Sequence, residues 1–251
     1  MALGPDTRLT WYGHSCFQLV SPGGKTILFD PWFSNPRSPR PPDEVDRCDI
    51  LLVSHGHFDH FDDAPGIARR TGPTWPAIHE IDLWLSHGAK AGDGTTVIGF
   101  NAGGTVDVDG IKVTMVPAIH SAGNWTVSAG NWTDQVDTAL SLGEAVGFVV
   151  ELEDGLRLYF AGDTTVFGDM RIIGELYQPR LALLPIGGHY TMGPREAALA
   201  VELLGVPEVV PMHYGTFPIL AGTPAELRAH LEERGKGAVT VHELEPGAGL
   251  G

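Results

Sequence analysis

The most constraining feature of this chain is a short cluster of metal-binding residue types placed directly after an apolar run. Residues 54–60 read Ser-His-Gly-His-Phe-Asp-His, and residues 50–53 read Ile-Leu-Leu-Val. Imidazole and carboxylate groups are ligands for zinc and related divalent ions. A polar loop that holds three histidines by chance would not explain their density or their position after a predicted buried strand. The cluster therefore predicts the nucleus of a two-metal hydrolytic site.

The spacing divides the cluster between two ions. If the extended geometry of the predicted strand continues through it, His55 and His57 point to the same side and can share one ion. Asp59 and His60 are adjacent, so their side chains are expected to diverge in any regular conformation. These two residues suit a second ion beside the first.

Composition limits the class of partner. The 251 residues, 43% of them hydrophobic, can bury a substantial core. The formal net charge of −15 disfavours nucleic acid and anionic membranes, because contacts to both depend on Lys and Arg clusters. A small-molecule substrate is therefore expected, and the oligomeric state is left open.

Cysteine usage and hydropathy point to the cytoplasm. Cys16 and Cys48 have apolar neighbours, which disfavours a disulfide framework and a thiolate metal site. Residues 1–10 lack a signal-peptide pattern, and no run reaches the roughly 18 apolar residues of a membrane span. A cytoplasmic protein without a membrane segment is the expectation.

Periodicity and turn signals favour an α/β (α+β) fold in which two β-sheets pack face to face with helices outside. Strands are predicted at 8–12, 16–20, 26–29, 50–53, 74–78, 95–100, 105–108, 111–116, 147–152, 157–160, 181–184, 206–210 and 238–242. Helices are predicted at 62–70, 81–87, 170–177, 194–204 and 224–233. No linker pattern separates independent domains, so residues 1–251 are expected to form a single domain.

Three further candidate ligands, His120, Asp163 and His213, each lie just beyond the C-terminal end of a predicted strand. A lone histidine in such a place is more often a loop or core residue, and Asp163 could be only a turn residue. However, strand ends gather side chains into one cleft while the sheet holds them rigid. Their common placement therefore favours one shared site.

A near-duplicate follows His120. Residues 121–127 read Ser-Ala-Gly-Asn-Trp-Thr-Val, and residues 128–134 repeat the first six. One repeat cannot build a solenoid, so 121–139 is predicted to be an expanded surface loop. Its Trp125 and Trp132 would either line or cover the cleft, or pack on the protein's own surface.

Seven segments together resemble a known family. They are Trp11-Tyr12-Gly13-His14-Ser15, Phe29-Asp30-Pro31, residues 55–60, residues 117–121, Ala161-Gly162-Asp163-Thr164, residues 185–193 and residues 211–216. Their order and spacing resemble the metallo-β-lactamase superfamily over nearly the whole chain, and specifically hydrolases similar to the L-ascorbate-6-phosphate lactonase group. The resemblance implies a four-layer αββα sandwich with two metal ions at one edge between the sheets.

The resemblance also implies which residues bind the ions. The first ion would be held by His55, His57 and His120, the second by Asp59, His60 and His213, and both by a bridging Asp163. Zinc is the expected metal, although manganese or iron would accept the same ligands. The departure from the family pattern is the loop after His120, which is longer here.

Such a site implies hydrolysis of a small ester, lactone or phosphodiester. Two ions about 3.5–4 Å apart can lower the pKa of a shared water, so that a metal-bound hydroxide attacks the substrate. Asp59 is a candidate proton acceptor as well as a ligand. His189, in a Gly-Gly loop after a predicted strand, either binds substrate or protonates the leaving group, or makes a structural hydrogen bond.

Four residues near the motifs receive supporting roles or none. Asp30 is expected to orient a metal-binding histidine, and His14 to support the site or the core. Arg37 and Arg40 could meet a phosphate group, but a solvated loop is the favoured interpretation.

Three alternatives to this function are open. A nuclease is disfavoured by the acidic charge balance and by the absence of a Lys/Arg-rich appended domain. A diiron redox enzyme is disfavoured because such relatives replace the second histidine of the cluster by Glu, whereas His57 is retained. A metal-dependent binding module without turnover is the alternative from a different class.

Overall fold

The computed structural model describes residues 3–89, 91–124 and 140–251 of the chain. Two large β-sheets lie face to face, and helices cover the outer side of each sheet. The predicted four-layer αββα arrangement is therefore confirmed. None of the helices in these residues combines the length and the apolar character that crossing a bilayer requires.

Strands and helices alternate much as the sequence predicts. Strands β1 to β16 are, in chain order, Arg8–Trp11, Phe17–Val20, Thr26–Phe29, Ile50–Leu52, Thr74–Ile78, Thr96–Phe100, Thr105–Val108, Ile111–Pro117, Gly123–Asn124, Leu140–Ser141, Val146–Glu151, Arg157–Phe160, Leu181–Pro185, Glu208–Met212, Thr240–Val241 and Gly249–Leu250. Helices α1 to α6 are Phe58–Phe61, Ala64–Thr71, His79–Trp84, Met170–Tyr177, Pro194–Leu204 and Pro224–Glu233. A 3-10 turn covers Pro42–Glu44, and a π-helical turn continues α3 over Leu85–Ala89.

Each large sheet contains seven strands. The first has the order β16-β1-β2-β3-β4-β5-β6, and the second has the order β15-β14-β13-β12-β11-β8-β7. Strands β9 and β10 form a separate antiparallel pair. This pair joins the two ends of segment 125–139, which lies outside the described residues together with Trp125 and Trp132.

Strands β11 to β14 of the second sheet are buried at nearly every position, because their residues are largely apolar on both faces. In β12, Leu158 and Phe160 belong to the core between the sheets, whereas Tyr159 belongs to the core beneath the helices. The Phe160 ring lies 5.0 Å from the ring of Phe29 in the first sheet. Because successive side chains of a strand point to opposite faces, β12 contributes residues to both cores.

Two element predictions need correction, and several short strands were not predicted. The helix predicted at 81–87 begins at His79 and becomes π-helical after Trp84. The strand predicted at 238–242 is only Thr240–Val241. The two-residue strands β9, β10 and β16 were not predicted, because two residues carry no readable periodicity.

The topology brings the predicted ligand positions to one edge. Strands β12, β13 and β14 are parallel, and β8 points the same way because it is antiparallel to β11, which is antiparallel to β12. The loops that follow β8, β12 and β14 therefore leave from the same end of the second sheet. The hydrogen bond from Val146 N to Ser54 O, 2.9 Å, joins this end to the loop after β4 of the first sheet.

Gly162 makes this junction tight. Its φ is +60°, and a Cβ there would lie 2.6 Å from Ser54 Cβ and 2.8 Å from Val146 O. We expect Gly162→Ala to lower the free energy of unfolding by about 2–5 kcal/mol, because the cost of a left-handed backbone in alanine is added to the cost of overpacking. The matched control is Gly155→Ala, where φ is +83° and no atom lies within 4 Å of the added Cβ. Denaturant unfolding should give a cost of only about 1–2 kcal/mol for the control, and equal costs would contradict the packing argument.

Candidate metal centre

All seven predicted ligand residues meet at this edge, and six of them form two groups. The first group is His55, His57 and His120. The second group is Asp59, His60 and His213, joined by His14. Within each group, one ligand atom from every residue lies within 4.8 Å of the others. In the first group, His55 Nε2 lies 2.9 Å from His57 Nδ1.

Asp163 lies between the two groups. Its Oδ2 atom is 3.6 Å from His120 Nε2 in the first group. The same atom is 3.4 Å from His60 Nε2 and 3.0 Å from His213 Nε2 in the second group. One carboxylate therefore contacts both sets of histidines, at the position expected for a bridging ligand.

The backbone of residues 54–60 differs from the extended conformation expected from the sequence. Strand β4 ends at Leu52, before the cluster, although His57 keeps an extended backbone at φ −62° and ψ 149°. Asp59 and His60 lie in the helical turn α1 and do not diverge, since Asp59 Oδ2 lies 3.8 Å from His60 Nε2. Neighbouring helical residues are about 100° apart, and the long reach of the imidazole lets both side chains enter one group.

Buried ligand atoms without hydrogen-bond partners test whether the site suits a cation. Among the described residues, His60 Nε2, Asp163 Oδ1 and both ring nitrogens of His213 are buried and make no hydrogen bond. Each such atom costs about 1–3 kcal/mol when it stays unpaired. Four of them in one cluster of imidazole and carboxylate donors fit divalent metal ions.

The electrostatics of the second group favour positive charge. Burial disfavours protonation of His60, yet the carboxylates of Asp163, Asp30 and Asp59 raise its pKa well above the ordinary value. Burial also opposes ionisation of Asp163, but His213 and His60 hold its pKa well below the usual range. In the first group, burial lowers the pKa of His55, His57 and His120, which leaves their lone pairs available.

Asp30 orients two of the histidines. Its Oδ2 accepts a 2.6 Å hydrogen bond from His60 Nδ1 and another of 2.6 Å from the Ser54 hydroxyl. Because that hydroxyl donates to Asp30, its oxygen accepts from His55 Nδ1 at 3.0 Å. Both histidines therefore carry their proton on Nδ1 and present Nε2 to the site, as predicted for Asp30.

His57 is oriented from the other side. Its Nε2 lies 3.2 Å from the Ser121 hydroxyl, while its Nδ1 faces His55. Ser121 belongs to the loop after β8, which also supplies His120. The first residues of the predicted expanded loop therefore contribute directly to the first group.

His14 supports the second group more closely than the sequence indicated. Its Nε2 lies 2.9 Å from Asp59 Oδ2, so this nitrogen carries the proton, since a carboxylate can only accept. Its Nδ1 then accepts from the Thr216 hydroxyl at 3.0 Å. Burial and His213 lower the pKa of His14 to about 4, so the ring is neutral. Its main-chain carbonyl accepts a hydrogen bond from His213 N at 2.9 Å.

The ligand groups open into a cavity of about 350 Å³. Its walls are formed by His57, Phe58, Asp59, His120, Ser121, Gly123, Asn124, Asp163, Tyr190 and His213. The loop predicted to offer His189 contributes Tyr190 to these walls instead. His189 itself is exposed at φ +60° and packs edge-on against the Tyr190 ring at 4.5 Å. A catalytic role for His189 stays a prediction.

The two arginines considered for phosphate binding lie elsewhere. The Arg37 guanidinium lies over the Trp11 ring at 5.3 Å, and its Nη1 donates to Tyr214 O at 3.2 Å. Arg40 donates to the Glu44 carbonyl. Neither residue belongs to the cavity walls.

Comparison with known proteins agrees with this geometry. A model of the beta-lactamase superfamily domain matches residues 25–214. A UPF0173 metal-dependent hydrolase of Rubrobacter xylanophilus is 48% identical over 247 residues, which cover 98% of this chain and 96% of that protein. The chain belongs to the UPF0173 family of metal-dependent hydrolases. This UPF0173 chain is also 46% identical to a family member of Korarchaeum cryptofilum, over 96% of this chain and 97% of the other.

A solved structure extends the likeness to three dimensions. Igni18, a metallo hydrolase from Ignicoccus hospitalis, is 37% identical to this UPF0173 chain and superposes with a TM-score of 0.81. The match covers 97% of each chain. The metallo-β-lactamase fold and the assignment as a metal-dependent hydrolase are therefore established for this chain.

Proposed function

We propose that this UPF0173 chain uses two divalent ions to hydrolyse a small ester, lactone or phosphodiester. His55, His57 and His120 would hold one ion, and Asp59, His60 and His213 the other, with Asp163 shared. The observation that carries the proposal is the position of Asp163 Oδ2, within 3.6 Å of Nε2 atoms from both groups. Zinc is the proposed metal, since imidazole and carboxylate suit it.

Bound ions of this kind activate water and polarise the bond that it attacks. The chain's own contribution begins with orientation: Asp30 and Ser54 set the tautomers of His60 and His55. Fixed lone pairs are what a metal site needs, because a ring that turned would present N–H instead.

Asp59 is the proposed proton acceptor for the attacking water. It lines the cavity, and its side chain is 14% exposed. Burial opposes its ionisation, but His60 and His14 lower the pKa of Asp59 below its usual range, so the carboxylate is charged. Because Oδ2 already accepts from His14, Oδ1 is the oxygen that we assign to the transferred proton.

The partner proposed for the site is a small molecule. The net charge of −15 weighs against nucleic acid, and the resemblance to the L-ascorbate-6-phosphate lactonase group adds lactones to the candidate substrates. The cytoplasm is the proposed location.

Two variants test the proposal. We expect Asp59→Asn and His57→Ala to lose turnover while staying folded, because each removes a ligand and the former also removes the proton acceptor. The matched control for His57→Ala is His79→Ala, whose ring is half exposed and lies outside the cavity walls. Near-normal hydrolysis by either site variant, with the metal content verified, would contradict the assignment of Asp59 and His57 to the hydrolytic site.

Metal analysis combined with a hydrolysis screen separates the candidate functions. About two equivalents of metal with esterase, lactonase or phosphodiesterase turnover supports the proposal. Metal without turnover on any class would support a binding module. RNA cleavage at a comparable rate would instead favour the nuclease.

A further inference from the structure

Two aromatic rings, those of Phe58 and Tyr190, line the cavity together with the ligand residues. Phe58 is 46% exposed and Tyr190 is 60% exposed, although both are large apolar side chains that folding would normally cover. Phe58 packs edge-on against Trp32 at 5.6 Å, and Tyr190 packs against His189. Both rings are therefore exposed beside the cavity and available to a ligand.

No cationic side chain faces these rings from the walls that the structure describes, since none of the lining residues is Lys or Arg. Segment 125–139, which adjoins the lining residue Asn124 in the chain, contains no Lys or Arg in its sequence either. Asp59 and Asp163 add negative charge to the same walls. An anionic group on the substrate that does not touch the metal ions would have nothing to neutralise it.

Proteins that bind phosphate or carboxylate groups of a ligand supply charge-assisted hydrogen bonds, most often from Arg or Lys. The two arginines considered for phosphate binding, Arg37 and Arg40, are engaged outside the cavity. Small-molecule cavities typically measure about 300–1,000 Å³, so this one suits a small ligand. The geometry favours apolar contact over recognition of charge.

On the basis of the proposed hydrolytic function, we infer that the substrate is an uncharged carboxylic ester or lactone. An alkyl or aryl group of this substrate packs against Phe58 and Tyr190. A sugar phosphate does not fit, because its phosphate group, away from the scissile bond, brings a negative charge to walls that lack a cation. Tyr190 is the specificity-determining residue, because its ring is the more exposed of the two and lies on a loop separate from the ligand cluster.

Matched substrate pairs test this inference on the metal-loaded protein. p-Nitrophenyl hexanoate and the p-nitrophenyl monoester of adipic acid share the scissile bond, leaving group and chain length, and differ by one terminal carboxylate. 4-Methylphenyl acetate and 4-carboxyphenyl acetate place the same difference on the alcohol side. We expect kcat/KM to favour the uncharged member of each pair by at least about tenfold, after subtraction of the uncatalysed rate.

One substitution should weaken the preference. Tyr190→Lys places a cation at the cavity wall, and we expect it to lower the uncharged-to-anionic kcat/KM ratio of at least one pair by about tenfold or more. The matched control is Leu176→Lys, which adds the same charge at a side chain that is 66% exposed on α4. The control should leave both ratios within about twofold of the wild type, as expected for a distant screened charge.

The outcomes distinguish this inference from the proposed function. Equal or faster hydrolysis of the anionic members, or turnover of phosphodiesters alone, would overturn the inference and leave the hydrolytic site intact. The same holds if Tyr190→Lys and Leu176→Lys change the ratios equally. Absence of turnover on every ester, lactone and phosphodiester by protein with verified metal would overturn the proposed function and the inference with it.

Discussion

Asp163→Asn is expected to reduce bound metal from about two equivalents to one or fewer and to lower kcat/KM by roughly 10²–10³ or more. The reason is the position of Asp163 Oδ2, which contacts His120 in one group and His60 and His213 in the other. Asparagine keeps the size of the side chain but removes the negative charge that two adjacent cations need between them. Elemental analysis of dialysed protein and steady-state kinetics give the two readouts.

The matched control for this change is Asp154→Asn. Asp154 lies in an exposed turn, where its Oδ1 accepts from Leu156 N at 3.0 Å. This variant should keep the wild-type metal content and kcat/KM. If Asp163→Asn retained both ions as firmly as the control does, Asp163 could not be the shared ligand.

Asp30→Asn is expected to weaken metal binding by about 10–100-fold and to lower the free energy of unfolding by about 3–5 kcal/mol. Asp30 is fully buried and only accepts hydrogen bonds, from Ser54 N, the Ser54 hydroxyl and His60 Nδ1. An asparagine must turn its NH₂ group toward at least one of these donors. The His60 ring then loses its fixed tautomer, and His55 loses the same support through Ser54.

Two measurements separate the contributions of Asp30. Denaturant unfolding of the metal-free protein reports the buried hydrogen bonds alone, and competition with a chelator reports metal affinity. Asp63→Asn is a control, because Asp63 holds Ser34 N at 2.7 Å and the Ser34 hydroxyl at 2.9 Å in an exposed part of the loop. Asp63→Asn should lower only the free energy of unfolding and leave resistance to the chelator unchanged. Unchanged chelator resistance in Asp30→Asn would contradict the orienting role.

The ligand cluster was predictable because its residues follow strand ends. His55, His120, Asp163 and His213 each come after an apolar strand, and strands that point the same way deliver such residues to one edge. The four-layer arrangement follows from the same strands, which are apolar on both faces. The division of the cluster was argued from spacing, whereas the full ligand sets came from resemblance. In the structure His55, His57 and His120 form one group, Asp59, His60 and His213 form another with His14, and Asp30, His55 and His60 form a third that spans them. The assignment of these residues to two ions stays a prediction.

The support around the ligands was less predictable, because it depends on contacts between distant parts of the chain. His14 and Thr216 are 202 positions apart. No local sequence pattern predicts that the Thr216 hydroxyl fixes the tautomer of the His14 ring. The choice between His189 and Tyr190 as the cavity residue depends on the backbone at His189, whose φ of +60° turns the loop. Such a dihedral in a non-glycine residue leaves little trace in sequence.

The most direct test of the two-ion site is anomalous diffraction from crystals of the zinc-loaded protein, collected on both sides of the zinc absorption edge. The account predicts two anomalous peaks about 3.5–4 Å apart. One should lie among His55, His57 and His120, the other among Asp59, His60 and His213, with the Asp163 carboxylate between them. A single peak at full zinc loading, or peaks outside these residues, would contradict the account.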